Sequence, residues 1–79
     1  MKLWIGNIAP ETSDDELRDL LKKYGAAEIT TIERVAEEGS RPVAIVEVVA
    51  TQEALYKLTQ RLNGLFWKGR SLTAQSMTR

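Results

Sequence analysis

Neither cysteine nor histidine occurs anywhere in the chain. The first absence excludes a disulfide framework and a thiolate metal site; the second removes the imidazole ligand, so a structural zinc has nothing to hold it. Together they also take away the thiol nucleophile and the side chain most often used as a general base. No Asp or Glu falls into a motif that pairs a nucleophile with a base or a carboxylate with a metal partner, so an enzyme is the poorest reading and no cofactor is expected. Long apolar runs are missing too: none approaches the roughly 18 consecutive residues of a membrane span. Met1-Lys2 passes straight into a strand-like segment without the apolar stretch and small-residue cleavage site of a secretory signal. No membrane partner is expected, and a cytoplasmic location follows by elimination. Net charge is the last absence, eleven basic side chains balancing eleven acidic ones. With no overall field to attract a polyanion, tight sequence-blind binding to nucleic acid is disfavoured, whereas a locally basic face is not excluded.

What is present has the pattern of a small folded domain. Residues 1–79 make one domain near the lower size at which a core supports itself, since such a chain hides only roughly 60 to 65% of its unfolded surface. Lys2 to Gly6 reads as a strand, with Leu3 and Ile5 on one side and Lys2, Trp4 and Gly6 on the other. Ser13 followed by Glu16 is a capping-box pattern, and Leu17, Leu20, Leu21 and Tyr24 continue it as one apolar stripe of a helix that Gly25 ends. Ile29 to Val35 is rich in β-branched residues, with broken alternation at Glu33, Arg34 and Val35 that predicts a bulge or departure from the sheet there. A loop composition from Ala36 to Pro42 leads to the strongest strand signal, Val43 to Val49. Thr51-Gln52-Glu53 opens a second helix with apolar positions Ala54, Leu55, Leu58 and Leu62, stopped by Asn63-Gly64. Lys68-Gly69 turns the chain into a last strand, Arg70 to Gln75, and residues 76–79 are expected to fray. The order β-α-β-β-α-β implies an α+β, ferredoxin-like sandwich: a four-stranded antiparallel sheet with both helices on one face and the other face open.

At the level of short phrases the chain resembles the RNA recognition motif. Leu3-Trp4-Ile5-Gly6-Asn7-Ile8 is similar to the family's first signature: aliphatic, aromatic, aliphatic, then Gly-Asn and an aliphatic. Ser13 to Leu17 and Tyr24-Gly25 resemble its first helix and following turn. Leu62-Asn63-Gly64 and Gly69-Arg70-Ser71-Leu72 resemble the phrases around its last strand. The second signature, a basic residue, Gly, aromatic, Gly or Ala, aromatic, aliphatic, variable, aromatic, falls on Arg41-Pro42-Val43-Ala44-Ile45-Val46-Glu47-Val48. Here the chain departs: the glycine is Pro42, and the aromatic positions are Val43, Ile45 and Val48.

Members of this family bind single-stranded RNA by stacking bases on aromatics of the first and third strands. Carried over by position, the resemblance implies Trp4 as the retained platform and Val43 and Ile45 as aliphatic replacements. Arg41 stands for the phosphate-holding residue, with Lys2, Lys68 and Arg70 as rim cations and Asn7 chiefly as a turn residue. Stacking contributes about 1 to 3 kcal/mol per base, so two missing platforms forgo about 2 to 6 kcal/mol, less whatever contact the aliphatics restore. Glu47, Glu33 and the loop acids Glu37 and Glu38 add no compensating charge. The expected function is weak or altered binding of single-stranded RNA. The alternative is a protein partner or a homodimer on the lightly charged face of Trp4, Val43 and Ile45. Of Phe66 and Trp67, Trp67 fits a core-capping position, and an exposed Phe66 would mark a second contact surface. Some protein-binding relatives combine an acidic helix with an Arg-x-Phe phrase; Asp14, Asp15, Glu16 and Asp19 supply the acidity, but the phrase is missing.

Overall fold

The computed structural model describes residues 1–26, 28–35 and 42–77. Arg41 and the loop acids Glu37 and Glu38 lie outside the described residues. The elements in chain order are β1 (Lys2–Gly6), α1 (Asp14–Lys23), β2 (Ile29–Val35), β3 (Val43–Val48), α2 (Gln52–Leu62), β4 (Phe66–Trp67), β5 (Arg70–Ser71) and β6 (Thr73–Met77). The main sheet has the strand order β2-β3-β1-β6, every neighbour antiparallel. Each helix therefore carries the chain past one intervening strand, which is the split β-α-β arrangement.

Helix α1 begins where its sequence predicts. Ser13 Oγ accepts from the Glu16 N–H at 3.2 Å while Glu16 Oε1 accepts from the Ser13 N–H at 2.9 Å, so two donors that the helix leaves orphaned are satisfied reciprocally. Helix α2 is capped by Thr51, whose Oγ1 accepts from the Ala54 N–H at 3.1 Å. The apolar stripes Leu17, Leu20, Leu21 and Leu55, Leu58, Leu62 bury against Leu3, Ile5, Ala44, Val46, Val48 and Ala74 on one face of the sheet. Each such side chain removed from water contributes roughly 1.5 to 3 kcal/mol, and the fold follows from covering that one face. Trp67 packs at the edge of this core as predicted, whereas Phe66 beside it is 70% exposed.

Three local features differ from the sequence reading. The irregularity of β2 lies between Ile29 and Thr31, not at Glu33 to Val35. Ile29 pairs with Val48 and Ile32 with Val46, so two inward residues are three positions apart; Thr30 is the extra residue that makes this possible. Beyond the bulge the alternation is regular, and Arg34 turns toward α1, donating to Thr12 O at 3.0 Å and Asp14 Oδ1 at 3.1 Å. The last strand is also divided. β4 and β5 form a separate hairpin around Lys68 (φ 52°) and Gly69 (φ 82°), a two-residue turn whose positive φ angles match the twist of the paired strands. Finally, β6 runs to Met77, pairing Ser76 with Leu3 and Met77 with Lys2, so those two residues are held in the sheet rather than frayed.

Candidate nucleic-acid interface

Residues that alternate out of phase with the core make up the sheet face that the helices leave open. Thr31, Glu47, Lys2 and Met77 are in register across the four strands, and so are Glu33, Ile45, Trp4 and Gln75. Toward the far end Val35 pairs with Val43, and Gly6 with Thr73. This places Trp4 and Ile45 side by side near the middle of the face, both half-buried.

Trp4 owes its pose to Gly6, two residues along the same strand. A Cβ on Gly6 would sit 2.5 Å from Trp4 Cη2 and 2.8 Å from Cζ3. The six-membered ring of the indole thus lies over the glycine, in the space any other residue would fill. The indole is thereby held against the backbone of its own strand and remains half-buried on the open face.

The remaining predicted residues divide. Val43 keeps its register on the open face but is only 4% exposed, so it underlies the surface instead of presenting a platform. Lys2 is exposed between Glu47 and Met77. Asn7 adopts φ 60°, a left-handed conformation that Asn tolerates, and uses both ends of its amide. Its Nδ2 donates to Ser71 O at 2.9 Å, and its Oδ1 accepts from Arg70 Nη1 at 3.5 Å, which fixes the end of β1 to the β4–β5 hairpin. Asn7 is thereby a structural latch, and it holds Arg70 near the margin of β1.

Lys68 is not on the open face. Its Nζ donates to Glu16 Oε2 at 2.6 Å and lies 5.7 Å from the Trp67 ring centroid, within a groove of about 460 Å³ between α1 and the hairpin that Tyr24 and Phe66 also line. The Lys68 hydrogen bond, followed by the one from the Ser13 N–H, holds the Glu16 carboxyl below its ordinary value. On the open face the Met1 ammonium donates to Glu47 Oε2 at 2.8 Å and lowers that carboxyl in the same way. Gln75, placed in the last strand by the sequence, is not among the expected site residues, although its alternation with Ala74 is the signal that assigns it to the open face. Gly6 gave only the weaker signal of a glycine inside a strand.

A four-stranded antiparallel sheet backed by two helices on one face and open on the other defines the ferredoxin-like α+β class. Residues 3–73 match the RNA recognition motif, and the chain belongs to that family of non-catalytic modules. It is 34% identical over 70 residues to a polyadenylate-binding protein, cytoplasmic and nuclear, of Chaetomium globosum, a match covering 89% of this chain and 9% of that protein. The protein so described in Candida glabrata is 31% identical over 70 residues, covering 89% and 12%. The chain thus spans only a small part of these curated relatives. Among solved structures, Pes4 RRM3 superposes with a TM-score of 0.80 at 18% identity, covering 99% of this chain and 92% of that one. The Rna15 RRM with bound RNA (GU) gives 0.77 at 17% identity, covering 99% and 83%. At such identities the likeness establishes the fold alone. Among the described residues no helix is long and apolar enough to cross a membrane.

Proposed function

We propose that the open sheet face binds a short stretch of single-stranded RNA, with Trp4 stacking one base and Ile45 extending the apolar floor beside it. The observation that carries this reading is the pose of Trp4: an indole laid over Gly6, in register with Ile45, on the face the helices leave uncovered. The polyadenylate-binding relatives support the ligand class. Lys2 and Arg70 supply positive charge on and beside the face, and Arg41 is assigned a phosphate contact by its position in the second signature. Lys68, engaged with Glu16, is left out of the site.

The affinity is expected to be modest. One stacked base contributes about 1 to 3 kcal/mol, short of the roughly 4 kcal/mol that even a millimolar Kd requires. Ile45 and the cations must supply the rest, so binding in the micromolar to millimolar range that weakens with salt is the expectation. A protein partner on the same face is a lesser fit. With Val43 sealed, the apolar surface beside Trp4 and Ile45 is reduced, and Glu33, Glu47 and Lys2 separate or flank what remains, Met77 included.

Titration of the isotopically labelled chain with a pool of short single-stranded RNA tests the proposal. Amide shifts are expected to concentrate in Lys2–Gly6, Val43–Val48 and Thr73–Met77. Trp4→Ala should weaken binding by about fivefold to a hundredfold, the stacking contribution of one base. No response of these strands at high micromolar RNA would overturn it.

A further inference from the structure

Among the described residues the open face carries two carboxylates, Glu33 and Glu47, and one of them is engaged. Glu47 is held by the Met1 ammonium, whereas Glu33 is exposed and makes no hydrogen bond or ion pair among the described residues. Glu33 is in register with Ile45, Ile45 with Trp4, and Trp4 with Gln75, so an acceptor and an amide stand at opposite ends of the line on which a base would stack.

Resting on the reading that this face binds single-stranded RNA, we infer that Glu33 makes the site selective for guanine at the base lying over Ile45 and Trp4. A carboxylate has two oxygens and only accepts. The Watson–Crick edge of guanine carries N1–H and an N2 amino hydrogen side by side, a donor pair that matches the two oxygens as a guanidinium does. Adenine and cytosine each offer one amino donor next to a ring-nitrogen acceptor, which would face the second oxygen and repel it. Uracil fares worst, because its single N3–H is flanked by two carbonyls. Gln75 at the other end carries both a donor and an acceptor and turns to suit any edge, so it adds contact without choosing. The charge on Glu33 also opposes phosphate, which lowers affinity for every strand while widening the difference between bases.

The test uses the intact chain and short uridine strands in which one central position is G, A, C or U, with Kd read from amide shifts or anisotropy. The guanine strand should bind about tenfold or more tightly than the all-uridine strand, the discrimination of one bidentate contact. Glu33→Gln should tighten the all-uridine strand and bring the guanine-to-uracil ratio close to unity, because an amide can serve either edge. Equal binding of the four strands, or a ratio unchanged in Glu33→Gln, would overturn the selection by Glu33 and leave RNA binding standing. If none of the strands binds, the RNA reading falls and the selection falls with it.

Discussion

On the covered face of the sheet, Leu3, Ile5, Val46 and Val48 are sealed from solvent, while their immediate neighbours Lys2, Trp4, Ile45 and Glu47 on the open face are exposed or half-buried. The two sets share strands, hydrogen bonds and register and differ by one residue of phase. The covered set is chosen by volume and apolarity, and many sequences satisfy such a requirement. Apart from Val43 and the Trp4–Gly6 contact, the open set is under little packing demand, and a half-buried tryptophan, an unengaged glutamate and an exposed lysine stand there. The departure from the family's second signature touches both faces: aliphatics stand where rings are usual at Val43 and Ile45 on the open face and at Val48 in the core.

The sharpest way to break the comparison is to cut the same side chain on each face. Ile5→Ala removes a fully buried residue and should cost about 2 to 5 kcal/mol, the transfer and cavity contributions together. Ile45→Ala, on a half-buried site in the neighbouring strand, should cost less than about 1 kcal/mol and instead weaken RNA binding. Urea unfolding of both variants separates them. Equal losses of stability would mean that the open face is packed like the core and that no platform exists.

Next in size is the contact that poses Trp4. Gly6→Ala puts a methyl where the indole ring lies, and the ring must swing away because it is the only flexible member of the pair. A destabilisation of about 1 kcal/mol is expected, the low end for inserting a methyl into packed space. The Trp4 indole resonance should shift and RNA affinity should fall. In a Trp4→Ala background the same substitution should be close to neutral, since the clash has been removed, and a double-mutant cycle reads that coupling directly. An unmoved indole resonance in Gly6→Ala would show that the glycine has no part in posing the ring.

Most of the covered face was legible in the sequence because it is periodic. The leucines of both helices, the Ser13–Glu16 capping box and the alternation of Leu3 with Ile5 each follow from a local rule with one structural solution. The bulge in β2 was legible in principle, since Ile29 and Ile32 can face the same way only if one residue is inserted; the polar run from Glu33 drew attention to the wrong end of the strand. What could not be read were outcomes of long-range geometry. Val43 is sealed although it alternates correctly, and Lys68 is claimed by Glu16, 52 residues earlier, although its place in the last turn resembles a rim cation. Alternation assigns a face, but it does not say which neighbour reaches a side chain first.

That competition for Lys68 gives the smallest predicted effect, and it can be read with pH. The Glu16 carboxyl is held below its ordinary value first by Lys68 Nζ and next by the Ser13 N–H. A carboxyl depressed in the folded state contributes stability that is present above its unfolded value of about 4.3 and is lost as pH falls through the lower folded value. Lys68→Met removes the larger cause and leaves the capping bond, so the Glu16 carboxyl should titrate at a higher pH than in the parent chain, though still below its ordinary value. The difference in unfolding midpoint should favour the parent at neutral pH and close as the solution is acidified below the carboxylate range. Direct observation of the Glu16 side-chain carboxyl by NMR across that range checks both statements. Titration at the same pH in the two proteins would mean that Lys68 does not engage Glu16 in solution, and it would return that cation to the rim of the open face.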